Sequence, residues 1–312
     1  MAHAVTDTVA ETLRAELGGL GDSGKRVLAQ LRSQAGRAAL AWWERPLDSG
    51  MSPVACATMV LGALFVDGWR VGGDRCPYAS TVRGVRGGCA SRERPDFAHA
   101  TACVGQHTFG PTAVHTGMNR KMQQVLKEAR ATPFGNEVRT IWRTPARDLK
   151  MDTVAYPGAL SLTSNVGIRL KGIALDMTIR APTAADYLSG TRINAATTDG
   201  YAADRGALDK HRHYDAHLNL AFWVMVPMSF EGFGRLGAEG ARFILDLASH
   251  AANAAGGTER EVVRRRSYLA ADFRRQLSCR LAFLQAQRVL AYVREAQLLG
   301  SLFRPVSALL QA

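Results

Sequence analysis

The sequence predicts an α/β fold, and three observations support this fold class. Short apolar runs of strand length alternate with longer segments in which apolar residues recur at helical spacing. Between about residues 110 and 255 the order of these segments is helix, three strands, helix, strand and helix. Hydrophobic residues make up 47% of the 312-residue chain, which is a globular composition. Together these observations predict an α/β core with further helices around it.

Two helical segments and a loop-rich segment are expected before the core. Residues 1–45 are alanine-rich with apolar residues at helical spacing, and the glycine-containing stretch 18–24 is predicted to interrupt them. Ser52 followed by proline is typical of a helix start and predicts an apolar helix over Pro53–Val66. Residues 67–95 are rich in Gly, Arg and Cys and show little periodicity, so a loop-dominated module is expected there.

The elements of the core follow from their periodicity, taken in chain order. The continuous apolar run in the second half of the core is of strand length and predicts a central, buried strand. The predicted elements are a helix at Pro111–Ala131, strands at Glu137–Arg143, Met151–Tyr156 and Gly172–Arg180, a helix at Thr197–His217, the central strand at Asn219–Met228, and helices at Gly237–Ala254 and Glu259–Leu299. The predicted organisation is a helical region at 1–70, a Cys/His module at 71–109, the α/β core at 110–255 and a C-terminal helical region at 256–312.

The charge of the chain favours a polyanionic partner. It carries 39 basic and 27 acidic residues, a formal net charge of +12. DNA is the expected partner and RNA the alternative, although an arginine- and alanine-rich composition also arises from a GC-rich genome. The longest apolar run, Pro53–Val66, is about 14 residues, shorter than the ~20 that span a bilayer. No membrane association is expected, and the five cysteines are too few for a disulfide scaffold. We expect an intracellular protein, with the nucleus as its compartment.

Four potential metal ligands occur close together in the loop-rich segment. Cys76, Cys89, His99 and Cys103 fall within 28 residues. Thiolate and imidazole ligands suit tetrahedral zinc, and a segment with little core of its own is stabilised by such a metal. The wide gap between Cys76 and Cys89 departs from the usual first pair of a zinc knuckle, and His107 is a further ligand candidate. The alternative is that these residues share a loop-rich region by chance.

Two aspartates and a lysine form a second candidate site. Asp152 and Asp176 lie in separate strand-like runs, and Lys210 lies in a later polar stretch. Carboxylates on adjacent strands can hold Mg²⁺ through oxygen ligands, and the metal then polarises a phosphate. A nearby lysine can orient the attacking water or neutralise charge in the transition state. The alternative is that all three are ordinary surface charges. Glu231 is a weaker catalytic candidate, or a cap of the helix expected after Gly234.

Other catalytic arrangements find little support in the sequence. It contains no nucleophile elbow of the Gly-x-Ser-x-Gly type and no Walker A loop. The segment His211-Arg212-His213 is predicted to be a basic helix surface, and Tyr214 is expected to pack against the sheet.

Several short motifs occur in a fixed order around these candidate residues. They are Cys76 to Cys103, Val114-His115-Thr116, Lys150-Met151-Asp152, Leu175-Asp176-Met177-Thr178, Asp209-Lys210-His211-Arg212-His213-Tyr214 and Val226 to Gly237. Over roughly residues 30–290 this order resembles the C-terminal region of non-LTR retrotransposon polyproteins, without the reverse transcriptase. The departures are Val114 in place of an arginine, a longer separation between the two acidic motifs, and His213 in place of a second basic residue.

The resemblance implies a fold, a function and roles for the candidate residues. The fold would be a zinc-knuckle-like module followed by a restriction-endonuclease-like core of the PD-(D/E)xK type, a mixed sheet flanked by helices. The function would be a Mg²⁺-dependent DNA endonuclease that nicks target DNA. Asp152 and Asp176 would bind Mg²⁺, Lys210 would assist, and Cys76, Cys89, His99 and Cys103 would bind structural Zn²⁺. Two alternatives remain: a catalytically inactive nucleic-acid-binding relic of such an element, or a helical protein-interaction module over residues 238–300.

Overall fold

The computed structural model describes residues 21–34, 52–63, 76, 78, 89, 97–103, 109–131, 134–143, 149–160, 171–190 and 193–298. These residues form a mixed α/β structure in which helices flank a four-stranded mixed sheet, which confirms the predicted class at this level. The strands are β1 (Phe134–Val138), β2 (Met151–Ala155), β3 (Gly172–Arg180) and β4 (Trp223–Glu231). The helices are α1 (Gly21–Gln34), α2 (Pro53–Ala63), α3 (Phe97–Ala102), α4 (Pro111–Glu128), α5 (Ala185–Leu188), α6 (Tyr201–Tyr214), α7 (Ala238–Ala254) and α8 (Glu259–Leu298).

The sheet has the strand order β1-β2-β3-β4. β1, β2 and β3 pair antiparallel, whereas β3 and β4 pair parallel. A parallel pair needs a crossover connection, and α6 lies in the connection between β3 and β4. Side chains alternate along β3: Ile173 and Leu175 join the core that α4 covers, while Ala174 packs with Tyr214 of α6. The sheet is therefore covered by helices on both faces.

The prediction of a central strand at Asn219–Met228 was wrong in position. Within the described part of the chain, β4 lies at the edge of the sheet and starts four residues later, at Trp223. Its apolar character has another cause, because α6 and α7 both pack on β4 and bury residues such as Met228 and Phe230. Pro227 is consistent with this place, since a proline cannot donate a ladder hydrogen bond and is tolerated at sheet edges.

The long helix α8 connects the sheet core to the Cys/His region. It spans 40 residues and packs against α2, α3, α4 and α7. Phe273 and Leu277 belong to the core formed with α4 and the sheet. Ala286, Val289 and Tyr292, further along the helix, belong to a second core with the cysteines. One helix thus belongs to both hydrophobic cores.

Some element boundaries differ from the predictions. The first strand lies at Phe134–Val138 rather than at 137–143, and Glu137 has a positive φ of 50°, a backbone conformation outside regular strand geometry. Helix α1 begins at Gly21, inside the stretch predicted as a break. The predictions for residues 1–20 and 35–51, and most of those for 64–96, fall outside the described residues, as does His107. No described helix is both long and apolar enough to cross a membrane.

Candidate functional site

The four predicted metal ligands Cys76, Cys89, His99 and Cys103, the Cys/His cluster, converge in the structure. One ligand atom from each lies within 4.8 Å of all the others. The Sγ atoms of Cys76 and Cys103 are 3.7 Å apart, as are Cys89 Sγ and His99 Nε2. A tetrahedral zinc site with Zn–S bonds of about 2.3 Å has S···S edges of about 3.8 Å. The cluster could therefore hold a metal ion such as zinc.

Local backbone contacts explain how the widely spaced ligands meet. Cys103 N donates a hydrogen bond to His99 O at 2.7 Å, so these two ligands lie one helical turn apart at the end of α3. Cys89 N donates to Tyr78 O at 2.7 Å, which brings Cys89 beside the segment that follows Cys76. The wide sequence gap between the first two cysteines is thus closed by a backbone pairing.

Two residues of α8 complete the surroundings of the Cys/His cluster. The Tyr292 hydroxyl donates to Cys76 Sγ at 3.1 Å, and Arg288 Nη2 donates to Cys103 O at 2.7 Å. The Cys103 thiol, followed by His99 and Tyr292, lowers the pKa of Cys76 to about 4 against the opposing effect of burial. A thiolate at Cys76 is the form that binds a metal. Tyr292 and Arg288 were not predicted from the sequence, because their contacts with the cluster depend on how the distant helix α8 packs against it.

The aspartates predicted to bind Mg²⁺ lie on adjacent antiparallel strands. The last pair of β2 and β3 is Thr153 opposite Leu175, and Asp152 and Asp176 are the residues that follow this pair on the two strands. Asp152 Oδ2 accepts a hydrogen bond from the amide of Met177, the residue after Asp176, and the charge of Asp152 acts on the Asp176 carboxyl group. The two carboxylates are therefore close enough to approach one cation. We call Asp152 and Asp176, with His115 and Lys210 that contact them, the acidic centre.

Asp152 is held where β2 and β3 separate. Beyond Leu175, β3 continues its pairing with β4 but no longer with β2. The Met177 amide donates instead to Asp152 Oδ2 at 2.8 Å, and His115 Nε2 from α4 lies 2.8 Å from the same oxygen. Among the described residues, the other carboxylate oxygen of Asp152, Oδ1, has no hydrogen-bond partner. One oxygen therefore remains for a ligand.

Asp176 is almost completely buried and is contacted by α6. Its side chain is 3% exposed, and Lys210 Nζ lies 2.6 Å from Oδ2. The Tyr214 hydroxyl donates to Oδ1 at 3.1 Å, and the Tyr214 ring stacks on Trp142 with ring centroids 5.4 Å apart. Lys210 and Tyr214 are four residues apart and so share one face of α6. The expected packing of Tyr214 is confirmed, but its hydrogen bond to the carboxylate was not foreseen.

Electrostatic coupling links the members of the acidic centre. Burial raises the pKa of Asp176, the charge of Lys210 lowers it, and the charge of Asp152 raises it again. The hydrogen bond with Asp152 raises the pKa of His115, in opposition to burial. Each carboxylate thus has one cationic or protonatable partner, which reduces the cost of bringing two like charges together.

Glu231 lies apart from the acidic centre. In the parallel register of β3 and β4, Asp176 is opposite Pro227, four residues before Glu231. At about 3.3 Å per residue this is about 13 Å along the strand, too far to share a cation with Asp176. Glu231 Oε1 instead accepts a hydrogen bond from Ala202 N at 3.1 Å, in the first turn of α6. It caps α6 rather than the helix expected after Gly234.

A cleft lies beside both candidate sites. Its volume is about 490 Å³, within the range of ligand-binding pockets. His115 and Lys210 of the acidic centre line one part, and Phe97 and Arg288 next to the Cys/His cluster line another. His115 and Lys210 of the acidic centre therefore face a cavity of ligand-binding size, whereas Asp152 and Asp176 lie behind them and do not line it.

Comparisons with protein-family models, with curated proteins and with solved structures found no match for this chain. The resemblance to retrotransposon endonucleases therefore stays a prediction. What the protein does must be argued from the chemistry of the two sites.

Proposed function

We propose that this protein is a metal-dependent DNA endonuclease with a restriction-enzyme-like core, derived from a non-LTR retrotransposon. The observation that carries the proposal is the buried contact between Asp176 and Lys210, at 2.6 Å, on the strand next to Asp152. Two carboxylates and a lysine at one point of a sheet are the groups that metal-assisted phosphodiester hydrolysis uses.

The donor atoms of the acidic centre suit Mg²⁺ in kind. Asp152 and Asp176 supply carboxylate oxygens, which this hard cation prefers, and Oδ1 of Asp152 is free of hydrogen bonds among the described residues. When bound, Mg²⁺ would polarise the scissile phosphate and help to generate hydroxide. A protonated His115 competes with a cation for Asp152, so metal binding requires that this proton be lost or that His115 move aside.

The protein's own side chains have separate roles in the proposal. Lys210 would neutralise the charge that develops on the phosphate, and Tyr214 would hold the Asp176 carboxylate in place through its hydrogen bond. In the pattern that names the PD-(D/E)xK group, the lysine follows the second acidic residue by two positions. Here Thr178 occupies that position in β3, and the ammonium group reaches Asp176 from α6 instead.

Plasmid nicking in the presence of Mg²⁺ tests the proposal. Wild-type protein should nick supercoiled DNA, and Asp176→Ala and Lys210→Met should each lose activity by roughly 10²-fold or more. Glu231→Gln is the matched control, because it changes a buried carboxylate of the neighbouring strand and its amide oxygen can still accept from Ala202. Equal nicking by wild type and Asp176→Ala would refute the assigned centre. DNA binding without any nicking by the wild type would instead identify an inactive nucleic-acid-binding relic.

The helical-interaction alternative has less support. It requires a continuous exposed apolar stripe along α7 and α8. Among the described residues of these helices, the large apolar side chains that are exposed are Leu245, Val263 and Tyr268. The remainder of the apolar surface of α8 packs against α2, α3, α4 and α7.

A further inference from the structure

A second cavity lies between α4 and α8, and we call it the basic groove. Its volume is about 500 Å³. The polar residues that line it are Arg120, Lys121 and Gln124 of α4 and Arg275, Gln276 and Arg280 of α8. Four of these six carry a positive charge and none carries a carboxylate, so the groove has the charge that an anionic ligand requires.

The basic groove is separate from the acidic centre. His115 turns towards β2, where it contacts Asp152. Arg120 and Lys121, five and six residues later, are rotated by about 140° and 240° around the helix axis, on the basis of 3.6 residues per turn. The floor of the basic groove is formed where α4 and α8 pack closely. A Cβ atom at Gly117 of α4 would lie only 2.7 Å from Leu284 Cδ2 of α8. Glycine at this position lets the two helices approach and brings their cations to one groove.

The carboxylates nearest to the basic groove are already engaged. Glu128 accepts hydrogen bonds from Gln124 Nε2 at 3.0 Å and from Gln276 Nε2 at 2.7 Å. Asp272 accepts from Gln276 at 2.8 Å and is paired with Arg275. Both carboxylates are thus held by Gln124, Gln276 and Arg275, and neither forms an ion pair with Arg120 or Arg280.

Arg120 and Arg280 are the cations that lack neutralisation. Within the described part of the chain, no carboxylate lies within ion-pairing distance of either residue. Burial and then the charge of Arg120 lower the pKa of Arg280. Burial also lowers the pKa of Lys121, against the charges of Glu128 and Asp272 and together with those of Arg280 and Arg275. Like charges therefore face each other in a partly desolvated groove, and a bound anion would relieve their repulsion.

We propose that the basic groove binds backbone phosphates of duplex DNA, at a site separate from the acidic centre. Guanidinium groups match the geometry of phosphate oxygens and form paired hydrogen bonds with them. The inference rests on DNA as the partner in the proposed function, but not on cleavage of the DNA. The groove would hold duplex that flanks the segment presented to the acidic centre and would contribute to affinity rather than to sequence recognition.

The test is the salt dependence of DNA binding, measured by fluorescence anisotropy with a labelled duplex and without added Mg²⁺. Each phosphate contact contributes about 0.9 to the slope of log K against log salt concentration. Arg120→Gln with Arg280→Gln should therefore reduce the slope by about 2 and weaken binding at least about tenfold near 0.1 M salt. Arg120→Lys with Arg280→Lys should keep most of the slope, because it keeps both charges.

The matched control is Arg264→Gln with Arg266→Gln, which removes two exposed arginines from the same helix. It should leave the slope unchanged.

An unchanged slope in the groove variant, or an equal loss in the control, would overturn the inference. Failure of the wild type to bind DNA would overturn it together with the proposed partner. A reduced slope with no nicking by the wild type would support the groove and refute only the cleavage chemistry. Thermal unfolding of each variant shows whether it is folded.

Discussion

The Cys/His cluster and the acidic centre differ in how their charges are balanced without a metal ion. In the cluster, thiol groups and an imidazole face one another within 4.8 Å, and the low pKa of Cys76 favours a thiolate. In the acidic centre, Asp176 is paired with Lys210, and Asp152 with His115. A metal in the cluster would therefore stabilise the fold, whereas a metal in the acidic centre would compete with partners already present and would serve reactivity.

The largest expected effect comes from removing a ligand of the Cys/His cluster. Cys103→Ser should abolish binding of one zinc ion and lower the free energy of unfolding by several kcal/mol, because binding energy at a structural site is folding energy. Metal analysis and urea unfolding measure the two effects. Cys56→Ser, a cysteine outside the cluster, is the control and should keep the zinc. Full zinc content in Cys103→Ser would show that the cluster is not a metal site.

A smaller effect is expected at the hydrogen bond that supports the cluster from α8. Tyr292→Phe removes the hydroxyl that donates to Cys76 Sγ at 3.1 Å. Loss of such a supporting contact typically weakens metal binding by about 10–100-fold. Competition with a chelator for zinc measures this change, and an affinity equal to that of the wild type would mean that α8 only packs against the cluster.

At the acidic centre, removal of the Tyr214 hydroxyl should lower the stability of the fold even when no metal is bound. Tyr214→Phe leaves Oδ1 of the buried Asp176 without its hydrogen bond, at a cost of about 1–3 kcal/mol in the free energy of unfolding. Urea unfolding in the absence of Mg²⁺ checks this value. An unchanged free energy would contradict the view that the centre is balanced by its own side chains.

The two regions were also unequally predictable from the sequence. Cys76, Cys89, His99 and Cys103 are close in sequence, and Asp152 and Asp176 stand out as acids within apolar strands, so local pattern was enough to select them. Tyr292, Arg288 and the hydrogen bond of Tyr214 depend on how distant helices pack, and no local pattern encodes this.

The position of β4 in the sheet and the role of Glu231 likewise depend on the tertiary arrangement. An apolar run such as Asn219–Met228 predicts a strand that is buried on both faces, but it does not indicate whether another strand lies on each side of it. Glu231 looked like a catalytic candidate because it is an acid in a matching motif. Its distance from Asp176 follows from the parallel register of β3 and β4, which only the structure supplies.

The smallest expected effect is the pH dependence contributed by His115. Its pKa is raised in the folded protein, so its contribution to stability is complete below its ordinary pKa of about 6.5 and is lost as pH rises through the folded value. His115→Gln should therefore destabilise the protein more at about pH 5.5 than at about pH 8.5. The difference should stay under about 1 kcal/mol, because the side chain is 36% exposed. Urea unfolding at both pH values measures it, and an equal effect at both would refute the coupling to Asp152.

Mn²⁺ binding to the zinc-loaded protein, followed by electron paramagnetic resonance, tests the central contrast most directly. Mn²⁺ takes the same carboxylate ligands as Mg²⁺ and is a spin probe. We predict that the wild type binds Mn²⁺ at one site that Asp176→Asn lacks, while both proteins keep the same zinc content. Absence of Mn²⁺ binding in the wild type, or equal binding in Asp176→Asn, would contradict the assignment of a second metal site to Asp152 and Asp176.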